Sequence, residues 1–204
     1  MKEKIGYIFL GLLFAACIFL MFRNGYGLLA DSSKKQEVNI VAIGGGIDYN
    51  HKFEGIIPLG TDHYRLGQDG KTGKIYILRA SEKWFEENFP EGISKIKGGI
   101  PVTAVQCKVS GHDLRQALQK EMSEVSILGR GSDGSQYLFI NPMFLAIFAM
   151  SLAIGGVLGV ILAVLILVKA DSIPQKLKTG FGIYLLIYAL LLVYFLMRYG
   201  LLMV

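Results

Sequence analysis

The sequence predicts an α+β protein in which a small extracytoplasmic mixed domain is inserted between one N-terminal and two C-terminal transmembrane helices. Three observations predict it. Residues 5–22, 143–168 and 180–197 hold no Asp, Glu, Lys, Arg or His. At about 1.5 Å of rise per residue, 18 helical residues cover roughly 27 Å, enough for a bilayer core. Residues 23–141 between them have ordinary soluble chemistry, with 15 Lys and Arg against 14 Asp and Glu, and strand and helix signals alternate along them. The expected divisions are an N-terminal anchor at 1–22, an extracytoplasmic α+β domain at 23–141, a second span at 142–168, a short basic cytoplasmic loop at 169–179 and a third span at 180–204.

The first run follows Lys2 and Lys4, as a signal peptide would. Leu28-Leu29-Ala30 is a poor small-x-small cleavage site, so an uncleaved anchor is expected. Leu13-Phe14-Ala15-Ala16-Cys17 has the order of a lipoprotein signal, but the chain stays apolar through Phe22, where a mature lipoprotein turns polar. No lipidation is expected at Cys17.

In the central domain, residues 37–43 are β-branched and apolar and read as a strand that Gly44-Gly45-Gly46 breaks. Residues 62–66 and 74–79 flank Gln68-Asp69-Gly70-Lys71-Thr72-Gly73, whose Asp-Gly step is hairpin chemistry. Ser81 caps a short helix over 82–89, with Trp84, Phe85 and Phe89 to dock on the sheet and Pro90 to stop it. A strand over 102–109 follows Gly98-Gly99. Leu114, Leu118, Met122 and Val125 then recur at helical spacing after Gly111-His112-Asp113. Residues 129–135 read as a hairpin turn or a tether, leading into a strand over 136–140.

In the second span Ser151, Gly155, Gly159 and Ala163 lie four residues apart. Small side chains on one stripe let another backbone come close, where no hydrophobic drive brings helices together. Gly11 and Ala15 offer a matching surface on the first span. Tyr184, Tyr188 and Tyr194 in the third read as anchors and packing residues. No ionisable group lies within a span, which speaks against a lone transporter or channel. Lys2 and Lys4, with Lys169, Lys176 and Lys178 of the short loop, outnumber Arg23 and Arg198 beside the other face. The positive-inside rule therefore expects a multi-pass cell-membrane protein with a cytoplasmic N-terminus and an extracytoplasmic central domain.

The functional signals are sparse. The domain's net charge of about +1 lacks the basic face that nucleic acid requires. Gly44–Gly46 follows a strand but lacks the Gly-Lys-Ser/Thr ending of a phosphate loop. His51, His63, His112 and Cys107 show no zinc spacing, so no metal and no cofactor is expected. Cys107 is the only thiol of the domain and Cys17 lies in a span, so no disulfide is expected. Ser32 and Ser33 follow the first span, as a signal-peptidase serine does, without that enzyme's Ser-Met motif.

Thr103-Ala104-Val105-Gln106-Cys107 faintly resembles the Thr-Leu-x-Thr-Cys strand of sortase transpeptidases. That resemblance implies a Cys107 nucleophile served by His51 or His63 and by Arg115, a thiolate paired with an imidazole. Only Thr103 and Cys107 match, and the chain reads as helix after Cys107, so a buried structural cysteine is the preferred reading.

Residues 54–64, Glu-Gly-Ile-Ile-Pro-Leu-Gly-Thr-Asp-His-Tyr, with Ile75-Tyr76-Ile77-Leu78-Arg79-Ala80-Ser81 and Lys83-Trp84-Phe85, are similar to a class of uncharacterised bacterial membrane proteins. The resemblance implies an N-terminal anchor, an extracytoplasmic α+β domain and a C-terminal helix pair, and no activity. Pro58-Leu59-Gly60 reads as a turn presenting His63 and Tyr64, and Arg79 at a strand end is a candidate for an anionic ligand. The expected function is non-catalytic binding of a partner protein or ligand, with the lipid bilayer and a membrane-protein partner or second copy as neighbours and no nucleic acid. The alternative is a membrane-anchored thiol enzyme using Cys107.

Overall fold

The computed structural model describes residues 2–31, 34–53, 56–90, 95–109, 111–125, 136–168 and 174–199. These form an α+β chain with five strands and five helices among the described residues. Three helices are long and apolar enough to cross a membrane, over Gly11–Leu29, Met143–Ile166 and Gln175–Tyr199. The chain divides into a helical unit, Met1–Leu29 with Phe144–Met197, and a barrel unit, Ala30–Met143 with Arg198–Val204. The expected turn or tether at 129–135, Ser32 and Ser33, and residues 169–173 of the basic loop lie outside the described residues.

In the barrel unit, β1 (Lys35–Phe53), β2 (Ile57–Asp69), β3 (Ile75–Ala80), β4 (Lys95–Lys108) and β5 (Gln136–Ile140) close in the order β1-β2-β3-β5-β4. Every neighbouring pair is antiparallel except β3 with β5. Five strands closed this way have the plan of the OB-type barrel, a plan that hosts unrelated functions and assigns none.

Strand β1 serves two partners. Lys35 to Ala42 pairs with β4, and Ile40 to Phe53 pairs with β2. A strand that changes partner must bend, and β1 bends at register shifts between Ile40 and Ala42 and between Gly44 and Gly46. The triple glycine is therefore a bulge inside a strand, not the turn its composition suggests. Gly46 has φ +138°, and a Cβ there would lie 2.2 Å from the Tyr64 carbonyl oxygen, so only glycine fits. Its N–H, turned out of the ladder, donates to Glu121 Oε1 at 2.6 Å.

Two further expectations are corrected for the same reason. Gly98 and Gly99 (φ +90° and +74°) lie inside β4, which begins at Lys95 and sets residues 96–99 opposite Val41 alone. Pro58-Leu59-Gly60 is part of β2, because the β1–β2 ladder runs on to the pair Phe53 and Ile57. Local composition marked these sites as breaks, but the chain crosses each one with a long-range partner alongside.

The barrel core gathers Val38, Ile40, Leu78, Ala80, Ala104, Leu138 and Ile140 with Phe85 and Phe89. The two phenylalanines come from α2 (Glu82–Asn88) and its C-cap, and Ser81 Oγ accepts the Trp84 N–H at 3.2 Å as the N-cap. Helix α3 (His112–Val125) packs against β1 and buries Leu114 and Leu118. Between β2 and β3 the Asp69 carboxylate accepts from the Thr72 N–H at 3.1 Å, the Thr72 hydroxyl at 2.6 Å and the Asn39 N–H at 2.9 Å, which ties the expected turn to β1.

The helical unit holds α1 (Lys2–Leu29), α4 (Met143–Val168) and α5 (Gln175–Tyr199), whose last two residues group with the barrel unit. On α4 the close approaches fall at Gly155, Gly156 and Gly159. A Cβ on Gly159 would come within 2.7 Å of the Phe14 ring, and one on Gly156 within 2.6 Å of Ile18. The Tyr184 hydroxyl donates to the Gly155 carbonyl, and Tyr188 to that of Leu152 at 3.0 Å. Ala163 is buried beside Ile166 and Phe181. Ser151 is exposed, as is Ala15, and a Cβ on Gly11 would meet open space. Phe14 and Ile18, not Gly11 and Ala15, are thus the α1 side chains against the α4 glycines.

Gly159→Leu is expected to lower the thermal midpoint of the detergent-solubilised helices by an overpacking penalty of about 1–3 kcal/mol, while Gly11→Leu leaves it unchanged. Equal effects from the two would show that the Phe14 contact does not hold the helices.

Candidate functional site

Polar chemistry concentrates around one carboxylate. Asp62 lies on β2 opposite Tyr49 of β1, and only 7% of it is exposed. Arg79 approaches from β3 and places Nη2 2.6 Å from Asp62 Oδ2. Arg198, the penultimate residue of α5, brings Nη1 to 2.7 Å of Oδ2 and Nη2 to 2.6 Å of Oδ1. The His51 Nε2 lies 3.0 Å from Oδ2. Burial alone would raise the carboxyl pKa, but hydrogen bonds from His51 and Arg198 and the charges of both arginines hold it well below the carboxylate range.

Two guanidiniums against one carboxylate leave the cluster a net cation, and aromatic faces surround it. The Arg79 guanidinium carbon lies 4.5 Å from the Phe139 ring centre, 5.5 Å from Tyr137, 5.6 Å from Tyr199 and 5.9 Å from Tyr64. Arg79 Nη1 also donates to the Tyr137 hydroxyl at 2.8 Å. The negative ring faces offset the surplus charge where water is excluded.

Among the residues singled out as ligand candidates, Arg79 and Tyr64 are interior parts of this cluster, Tyr64 only 1% exposed. His63, between Asp62 and Tyr64 on β2, faces away from it, with Nδ1 3.0 Å from Asp48 Oδ1 and Nε2 4.0 Å from Glu82. Arg65 Nη1 donates to the same Asp48 oxygen at 2.7 Å. Asp62, Arg198, Tyr137, Phe139 and Tyr199 escaped the sequence reading. The one signal available was an arginine directly following the charge-free third run.

Cys107 is buried on β4 opposite Tyr137 of β5. Burial pushes its thiol up to about 12, against the lowering influence of Arg79, Lys34 and a hydrogen bond to Tyr137. A nucleophilic cysteine needs the reverse shift. His51 and His63 are engaged with carboxylates, and Arg115 is exposed on α3, donating to the Val109 carbonyl at 3.5 Å. The groups that act on the thiol are Arg79, Lys34 and Tyr137. No group of three His, Cys, Asp or Glu among the described residues could hold a metal ion.

An open cleft of about 440 Å³ lies along the β1–β4 pair and the β2–β3 turn. Glu37, Asn39, Lys71, Pro101 and Thr103 are among its lining residues. Asn39 organises its walls. Its Nδ2 donates to the Gly98 carbonyl at 3.1 Å, and its own carbonyl accepts the Gly70 N–H at 2.7 Å. A Cβ on Gly99 would lie 2.5 Å from Asn39 Oδ1, so the glycine lets the asparagine side chain reach β4. Glu37 and Lys71 bring one charge of each sign.

Asp48, Asp62 and Asp69 all have lowered carboxyl pKa values. The unfolded chain therefore binds protons more readily, and the stabilisation, fully present above the unfolded carboxyl value of about 4, is lost as pH falls through the folded values. The thermal midpoint of the solubilised protein should be level above about pH 5 and fall below about pH 4, with a shallower fall in Asp62→Asn. An acid slope unchanged in that variant would mean that Asp62 gains nothing from its arginines.

Against this geometry, comparison with known proteins gives no match to a protein-family model, a curated protein or a solved structure.

Proposed function

We propose that the chain is a three-span membrane protein whose barrel is a non-catalytic binding module on the extracytoplasmic side, with the β1–β4 cleft as the site for a partner protein or ligand. The cleft carries the reading. It is of a size that ligands use, and its walls are preset by Asn39 and by glycines at positions a side chain could not occupy. Burial of Cys107 and its raised pKa weigh against the thiol-enzyme alternative.

The Arg198 contact supports the three crossings. Arg198 directly follows the third charge-free run and bonds Asp62 within the barrel unit. That contact supports a reading in which the end of the third span and the barrel share one side of the membrane, with three crossings and an N-terminus on the other side. Lys2, Lys4, Lys169, Lys176 and Lys178 lie beside one face, against Arg23 and Arg198 beside the other, with Lys34, Lys35 and Arg130 slightly farther out. That asymmetry supports a cytoplasmic N-terminus. The approaches at Gly155, Gly156 and Gly159 support assembly of the three helices along a small-residue face.

Two measurements test this reading. In a Cys17→Ser/Cys107→Ser background, a cysteine placed at exposed Lys97 (K97C) should react with membrane-impermeant maleimide in intact cells. Reaction only after lysis would reverse the orientation. A benzophenone amino acid at Thr103 in the cleft should give a discrete photo-adduct in membranes that the same probe at Lys83 on α2 does not give. Cys107→Ser should leave that adduct intact. Identical patterns from Thr103 and Lys83 would remove the cleft as the binding site, and loss of the adduct in a folded Cys107→Ser protein would return attention to the thiol.

A further inference from the structure

We infer that the barrel is completed late, by residues at the end of α5: Arg198 and Tyr199 finish a buried charge centre that the described residues of 30–143 leave incomplete, so barrel maturation waits for α5. The inference stands on geometry independent of the cleft and its ligand.

The Asp62, Arg79 and Arg198 side chains are 9%, 5% and 7% exposed. Asp62 Oδ1 accepts from Arg198 Nη2, which also donates to the Thr61 carbonyl at 3.1 Å. The partners are 136 residues apart in the chain. Until Arg198 arrives, Oδ1 and the Thr61 carbonyl lack these donors, and the Tyr199 ring is missing from the aromatic wall around Arg79. The barrel is shaped for this arrival. Gly60 has φ +110°, and a Cβ there would meet Arg198 Nε at 3.2 Å. Charge-assisted forks of this kind are geometrically demanding, and a buried carboxylate deprived of a partner destabilises its surroundings. Because translation makes Arg198 at the end of α5, barrel folding has a built-in dependence on completion of that helix.

Cys107 reports on the centre, being 1% exposed and under the influence of Arg79 and Tyr137. The experiment measures maleimide alkylation of Cys107 in the solubilised full chain carrying Cys17→Ser. A chain ending at Met197 and the variant Arg198→Ala should alkylate about a hundredfold faster, the population of open barrel rising by the factor that a broken buried pair implies. Asp62→Asn should be worse than Arg198→Ala, since it leaves two guanidiniums facing each other without a carboxylate. In that background Arg198→Ala should slow alkylation, a reversal of sign that general misfolding cannot produce. Parent-like alkylation in the chain ending at Met197, or additive effects in the double variant, would overturn the inference.

Discussion

The fork between Arg198 and Asp62 is the interaction on which the barrel's charged interior depends. A carboxylate with so little exposure is stable only while its lone pairs are occupied, and here three elements supply the donors: β1 through His51, β3 through Arg79 and the end of α5 through Arg198. Its position on β2 brings these donors together. The surplus positive charge follows from having two arginines, and it explains the aromatic setting. Tyr64, Tyr137, Phe139 and Tyr199 present ring faces to Arg79, partial negative charge that needs no ion.

Much of the local structure was legible from residues. Ser81 caps its helix, Asp69 organises its turn, Leu114 and Leu118 face inward, and the charge-free runs lie within apolar helices, because each signal is decided within a few positions of itself. The illegible parts were decided across the chain. Gly44–Gly46 and Gly98–Gly99 look like breaks, yet each is a bulge where β1 or β4 accommodates a partner far away in sequence. Strand order and barrel closure depend on the β3–β5 and β1–β4 pairings, which leave no mark on composition. The Asp62 centre shows the same limit, since no local pattern connects residue 62 with residue 198.

The α4 stripe divides along similar lines. Four-residue spacing drew attention to small side chains on α4, where Gly155 and Gly159 meet tyrosine and phenylalanine rings. Spacing alone could not say which residues of α1 would meet it. Phe14 and Ile18 lie over Gly159 and Gly156, where the missing side chains leave room for their bulk and the contact is van der Waals packing.

A buried ion cluster is a poor source of net stability, since desolvation consumes most of what the pairing returns, so its presence calls for another explanation. Register supplies one. Beyond His63, β2 runs through residues 57–62 paired with β1 alone, and an isolated two-stranded ribbon holds its alignment weakly. A slip of one residue would turn Asp62 to the opposite face and leave Arg79 and Arg198 buried without a carboxylate. Apolar residues at these positions would tolerate that slip, whereas the forked geometry of guanidinium and carboxylate admits one alignment. The cluster therefore fits only the register in which β1, β2, β3 and the end of α5 meet.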